Sequence, residues 1–299
     1  MDRRGFLKSL SVVGGSALAV PGLAEAQEQV SATEFMSVLV DTTRCIGCRD
    51  CEVACATEHG LPIPDGSDKS VFDSVRDTTP DQWTIVNRFD TDQGEIFVKK
   101  QCMHCNQAAC STACLTQAMY KTKEGPVIWR EDKCMGCRFC MVSCPFVIPR
   151  FEYDKANPKI QKCIMCFERL EEGEIPACVQ SCPVSALQFG TRREMVRTAQ
   201  NRIADNPHQY VDHIFGEKEV GGTGWLYLAS TPFDQLGFNT ELSNEPVPRL
   251  TQEFLYAVPV VFLLWPAFLN AMRHSEIEKE DRTARIEAAQ TGAHEGEGS

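Results

Sequence analysis

Short apolar and β-branched runs punctuate the chain at Ser37–Val40, Ile96–Lys99, Val127–Trp129 and Leu187–Phe189. Each is three or four residues long and bounded by polar or turn-forming residues, which predicts short strands. Tyr120–Trp129 (YKTKEGPVIW) adds a hairpin about Glu124-Gly125. Arg192–Ala204 spaces its apolar positions at helical intervals and predicts an amphipathic helix. A strand at Trp225–Ala229 follows a glycine-rich stretch from Gly216. That stretch holds neither G-x-G-x-x-G nor G-x₄-G-K-[ST], so it reads as a turn rather than a phosphate cradle. The stretch between Cys55 and Cys102, rich in Pro, Asp, Gly and Thr, predicts a surface loop.

Sustained hydrophobicity occurs at the two ends. Arg3-Arg4-Gly5-Phe6-Leu7-Lys8 precedes the weakly apolar run Val12–Val20, and Ala24-Glu25-Ala26 supplies a small-x-small cleavage site. This order predicts a signal peptide over 1–26, and the paired arginines point to twin-arginine (Tat) export of a folded protein. Near the other end, Phe254–Met272 (FLYAVPVVFLLWPAFLNAM) carries no charge. At about 1.5 Å per residue it reaches about 28 Å, against a hydrocarbon core of about 30 Å. Its Phe, Leu and Val residues favour insertion by roughly 3–6 kcal/mol, and Pro259 and Pro266 are tolerable in a membrane helix. Arg273, His274, Lys279, Arg282 and Arg285 follow, so the segment predicts a transmembrane anchor at 254–272 with a cytoplasmic tail at 273–299. The tail, ending AAQTGAHEGEGS, is expected to be disordered. Residues 191–249 then form an extension of helix, strand and linker, the linker being NEPVPRL.

Composition changes the picture through cysteine. The 299 residues include 16 cysteines, which fall in four groups of four with none left over. Cys45, Cys48, Cys51 and Cys55 form the first group and Cys102, Cys105, Cys110 and Cys114 the second. Cys134, Cys137, Cys140 and Cys144 form the third, and Cys163, Cys166, Cys178 and Cys182 the fourth. All four runs (45–55, 102–114, 134–144, 163–182) open with C-x₂-C and close with x₃-C, so one unit is used four times across 35–190. The cysteine runs predict loops leading into helical turns, which Pro145 and Pro183 end. A net charge of −11 lacks the basic stripe that nucleic acid binding needs.

C-x₂-C-x₂-C-x₃-C-P is the spacing in which three thiolates wrap one iron–sulfur cubane and the fourth reaches a neighbouring cluster. Sixteen ligands therefore predict four [4Fe–4S] clusters. Structural zinc draws on two separated C-x₂-C pairs and fits four-cysteine runs poorly. A disulfide framework suits short secreted domains, not a chain this long. A [3Fe–4S] cluster would need a substituted cysteine, and no position is substituted. Metal bound in the cytoplasm before export also answers why so many thiols carry an export signal, since ligated thiolates do not enter disulfides. His104 and His59 lie beside complete cysteine runs and read as neighbours rather than ligands. Lys100, Lys133, Lys162, Arg44 and Arg138 adjoin cysteines and are candidates for offsetting cluster charge. No catalytic triad, carboxylate pair or nucleotide fingerprint stands out. With every iron fully ligated, no position remains for a substrate, and electron conduction is the role left.

QCMHC (101–105), CMGCRFCMVSCPF (134–146), KCIMCFER (162–169), PACVQSCPVSALQFGTR (176–192) and GEKEVGGTGWLYLA (216–229) resemble the four-cluster iron–sulfur subunits of membrane-bound respiratory oxidoreductases. The resemblance is strongest to the HybA-type subunit of periplasmic nickel–iron hydrogenase, with the formate dehydrogenase β subunit next. It implies an α+β fold of duplicated bacterial-ferredoxin-like [4Fe–4S] domains plus one C-terminal transmembrane helix. It also implies that run one pairs with run four and run two with run three. One cluster then takes Cys45, Cys48, Cys51 and Cys182, and a second takes Cys55, Cys163, Cys166 and Cys178. The third takes Cys102, Cys105, Cys110 and Cys144, and the fourth Cys114, Cys134, Cys137 and Cys140. Spacing alone leaves this pairing open, because Cys114–Cys134 and Cys144–Cys163 are separated by nearly equal gaps.

The implied role is a non-catalytic electron-transfer subunit on the periplasmic face of the inner membrane. It would link a catalytic subunit to an integral-membrane quinone-reactive subunit, with a haem b a candidate neighbour. A second reading keeps the wire and makes the terminal a molybdenum or tungsten enzyme acting on formate, polysulfide or thiosulfate. A third, a carrier of clusters in transit, predicts no anchor and conflicts with Phe254–Met272.

Overall fold

The computed structural model describes residues 34–294, and the expected signal peptide at 1–26 lies outside them. The chain divides into two units between Val247 and Pro248.

The first unit is a succession of short elements. Strand β1 (Met36–Asp41) and helix α1 (Asp50–Glu58) lead to strands β2 (Ile85–Thr91) and β3 (Gly94–Lys100). Helical turn α2 (Ala109–Thr112), strands β4 (Met119–Lys121) and β5 (Val127–Trp129) and turn α3 (Phe139–Val142) follow. Then come β6 (Arg150–Phe151), β7 (Ile160–Gln161), α4 (Phe167–Glu171), α5 (Ala177–Gln180), β8 (Leu187–Thr191), α6 (Arg192–Asp205) and β9 (Trp225–Leu228). The four strands and the hairpin expected from the apolar runs are all present. Residues 85–91 depart from the expected surface loop, because β2 pairs antiparallel with the expected strand β3 from Ile85↔Lys100 to Thr91↔Gly94. The apolar residues Ile85, Val86, Ile96 and Val98 are buried, and burying them ties that part of the insertion down.

A three-stranded sheet of order β8-β1-β9 is the centre of this unit, with β1 antiparallel to β8 and parallel to β9. Both faces of β1 are covered, which explains its nearly continuous apolar run. Val38 and Val40, with Trp225 and Tyr227, face a core that includes Cys51, Cys105, Cys178 and Cys182. Leu39, Leu226 and Leu228 take the opposite face, against Met195 and Ala199 of α6. Thr191 starts α6 with a reciprocal capping box to Glu194.

The remainder of the insertion, 59–84, is held by a buried ion network. Glu52 of α1 accepts from Arg49 Nη2 at 2.9 Å, from Arg76 Nη2 at 2.8 Å and from the Val86 N–H at 2.6 Å. Arg49 Nη1 in turn donates to the carbonyls of Asp65 and Asp68 at 2.7 and 2.8 Å.

The second unit is one helix, α7 (Arg249–His294), with Pro259 and Pro266 inside it. Its mean hydropathy reaches 1.8 over an 18-residue window, so it is long and apolar enough to cross a membrane. Residues 273–294 are helical, which corrects the expected disordered tail over that range. The segment is rich in Glu, Lys, Arg and Ala, all strong helix formers, and extends a helix already nucleated by the apolar stretch. Residues 295–299 lie outside the described range.

Candidate iron–sulfur centres

The four cysteine runs share one backbone. The residue before the second cysteine is left-handed in every run: Gly47 (φ 65°), His104 (φ 49°), Gly136 (φ 72°) and Met165 (φ 57°). The third residue beyond the last cysteine is left-handed in three of them, at Gln117 (φ 54°), Val147 (φ 52°) and Ser185 (φ 50°). Turns α1, α2, α3 and α5 each begin one residue before the third cysteine of their run. Left-handed backbone costs a non-glycine residue about 1–2 kcal/mol, so its recurrence at equivalent positions has to be compensated. Such turns aim successive N–H groups inward and form an anion-binding hollow. Here the Met165 N–H donates to Cys163 Sγ at 3.3 Å and the Met119 N–H to Cys114 Sγ at 3.4 Å.

Strand pairing decides which runs meet. β1 enters run one and β8 leaves run four, and their ladder (Val40↔Leu187) sets the start of one beside the end of the other. Cys45, Cys48, Cys51 and Cys182 accordingly line one cavity, together with Val40, Val86, Leu187 and Lys99. The β4–β5 hairpin returns the end of run two to the start of run three. Among their thiols, Cys140 is pushed up to about 11, first by burial and then by Cys114, Cys134 and Cys137. Burial raises Cys105 well above the ordinary thiol range, followed by Cys102, Cys144 and Cys110. Cys55 is pushed up to about 12 by burial, then by Cys178, with Cys166 also contributing. Electrostatic influence also reaches between these foursomes: after burial, Cys178 is the leading thiol acting on Cys51, while Cys102 acts on Cys163 and Cys140 on Cys110.

Thiols raised this far stay protonated near neutral pH unless a cation replaces the proton. None of the sixteen forms a disulfide. Among the described residues no three Cys, His, Asp or Glu side chains converge on a single ion. Four thiolates on one zinc would stand about 3.8 Å apart, given Zn–S bonds of about 2.3 Å. Wider cages lined by inward N–H groups fit a bulkier anionic group that carries its own irons and sulfides. The iron–sulfur cluster is such a group, and these residues fit it.

Of the basic residues adjoining cysteines, Arg44, Lys133 and Arg138 are exposed, and Lys100 pairs with Asp77. Lys162 is fully buried, donating to the carbonyls of Val127 and Cys163. Sequence reading missed two more cations. Lys121 donates to the His104 carbonyl at 3.1 Å, and burial brings it down to about 8. Lys99 lines the run-one cavity. His104 is wholly buried and neutral: desolvation, then Lys162, Lys121 and Lys99, hold it well below the ordinary imidazole range. Its Nδ1 accepts from the Val127 N–H at 2.8 Å, which leaves the proton on an Nε2 without a protein partner. His59 stacks on Trp83 with its Nε2 3.4 Å from Cys166 Sγ, so its neighbour in space is run four rather than the adjacent Cys55.

Comparison with known proteins agrees with this chemistry. Residues 94–192 match the family model described as a 4Fe-4S dicluster domain, and residues 37–61 match a 4Fe-4S binding domain. A protein of Nitratidesulfovibrio vulgaris is 43% identical over 303 aligned positions, covering 97% of this chain and 82% of its own. The hydrogenase-2 operon protein HybA of Escherichia coli O157:H7 is 32% identical over 273, covering 79% of this chain and 83% of its own length. The formate dehydrogenase-O iron-sulfur subunit of Escherichia coli is 32% identical over 217, covering 70% and 72%. With cysteine cages built for [4Fe–4S] clusters and relatives of this coverage, the chain belongs to the family of iron–sulfur electron-transfer subunits that includes HybA and the formate dehydrogenase iron–sulfur subunits.

Proposed function

We propose that this chain conducts electrons through four [4Fe–4S] clusters between a periplasmic nickel–iron hydrogenase subunit and an integral-membrane quinone-reactive subunit. The first site takes Cys45, Cys48, Cys51 and Cys182, and the second Cys55, Cys163, Cys166 and Cys178. The third takes Cys102, Cys105, Cys110 and Cys144, and the fourth Cys114, Cys134, Cys137 and Cys140. The observation that carries this reading is the convergence of runs one and four on a single cavity with four thiols in its wall. The mutual electrostatic influence of Cys51 and Cys178, Cys163 and Cys102, and Cys110 and Cys140 supports a single file in that order.

When bound, the clusters supply one-electron redox chemistry. The protein holds them in sequence, shields most of them from water and sets the charge around them. Cys137 is exposed, which supports the fourth site as the one nearest the surface of this unit. The twin-arginine motif at 1–26 fits export to the periplasm, and α7, which carries no charge over 254–272, fits an anchor beside the membrane subunit. Electrons would then flow from hydrogen toward quinone.

A hydrogenase partner is favoured over formate dehydrogenase because the HybA alignment spans 273 residues against 217 at the same 32% identity. The test is to isolate the intact complex from membranes and identify its metals. Nickel is expected. Molybdenum or tungsten with a pterin would replace the hydrogenase reading with the second one.

A further inference from the structure

Lys99 is 2% exposed, yet no carboxylate pairs with it among the described residues. Its Nζ donates to Thr84 Oγ1 at 3.0 Å and to Gln101 Oε1 at 2.9 Å, and lies 4.5 Å from the centre of the Trp225 ring. All three partners are neutral. Gln101 is fixed in turn, donating to the Tyr227 hydroxyl at 2.7 Å, while that hydroxyl donates to the Lys99 carbonyl at 2.9 Å. The ammonium is thus held in place by a buried polar network that offers it no negative charge. Arg49, equally buried beside run one, by contrast has Glu52 at 2.9 Å. An unpaired buried charge is strongly unfavourable, so its partner has to be found nearby.

The nearby source is sulfur. Lys99 lines the cavity walled by Cys45, Cys48, Cys51 and Cys182. Its charge also bears on Cys55 and Cys163 of the second foursome. We propose that Lys99 is the shared counter-ion of the first and second cluster sites, a positioning residue whose fixed positive charge raises both reduction potentials. The inference rests on the ligand sets proposed above. Reduction adds one electron, and therefore one negative charge, to a cage beside the ammonium; a cation there stabilises the reduced form more than the oxidised one.

The test uses the intact membrane complex, prepared without oxygen, with Lys99→Gln, Lys99→Met and Lys99→Arg variants. Iron and acid-labile sulfide are counted first, and each centre is then titrated potentiometrically by electron paramagnetic resonance. Lys99→Gln keeps a hydrogen-bonding head and loses only the charge. It should lower the reduction equilibrium constant of two centres at least tenfold, or about 59 mV for a one-electron couple. The other two centres should stay put, and Lys99→Arg should stay within threefold of the native protein. Unmoved potentials in Lys99→Gln, an equal shift of all four centres, or an Arg variant as shifted as Gln would each overturn the proposal. If the neutral variants fail to load iron at two sites while Arg loads fully, the counter-ion role is supported. If all three fail alike, shape rather than charge is what matters and the proposal is wrong. A native complex without four clusters would instead defeat the ligand reading itself, which the initial iron count separates from failure of this inference.

Discussion

At the scale of single residues, the molecule is governed by how charge is kept inside it. Glu52 answers two arginines and a backbone N–H with a side chain that is 1% exposed. Glu52→Ala would leave Arg49 buried without a counter-charge, at a cost of about 3–5 kcal/mol. A clearly lower urea midpoint of unfolding is expected, and an unchanged midpoint would show that the network is not what holds the insertion. The sixteen cysteines were legible because their spacing is the chemical signal itself. Lys99 was not. In Phe97-Val98-Lys99-Lys100 nothing in the sequence separates a buried lysine from its neighbour, which pairs with Asp77. Phe97 and Lys99 share one face of β3 by alternation, and Phe97 closes on run one, where a Cβ on Gly47 would stand 2.5 Å from its ring. That face turns toward the cage only because of tertiary packing.

At the scale of elements, the repeated unit was readable and its pairing was not. Each run combines a left-handed residue before its second cysteine with a helical turn opening just before its third. Two of those left-handed positions are glycines, a visible cue, but His104 and Met165 give no such sign. The gaps between runs are too alike to choose partners. The choice is made by the β1–β8 ladder and the β4–β5 hairpin, which bring distant or adjacent runs together through backbone hydrogen bonds. Helix α6 was legible almost to its ends because apolar period and cap agree, with Thr191 and Glu194 forming the capping box. Strand β2 was missed because it lies in a segment whose composition is that of a loop; it is stabilised by pairing with β3 over seven positions.

At the scale of the whole molecule, two units of different surface character share one chain. The cysteine-bearing unit buries its apolar residues around the cages, whereas α7 leaves Phe254, Phe262, Leu263 and Trp265 exposed. Apolar surface of that extent seeks lipid or protein. A chain ended after Val247 should therefore retain its iron and leave the membrane fraction. Loss of iron, or continued membrane binding, would mean that α7 is not an independent anchor. The account as a whole stands on cluster content, which anaerobic assay of the purified native protein measures directly. About sixteen irons and sixteen acid-labile sulfides per chain are expected, with signals of reduced [4Fe–4S] centres after dithionite. Colourless protein containing zinc, or cysteines joined as disulfides with no labile sulfide, would contradict it.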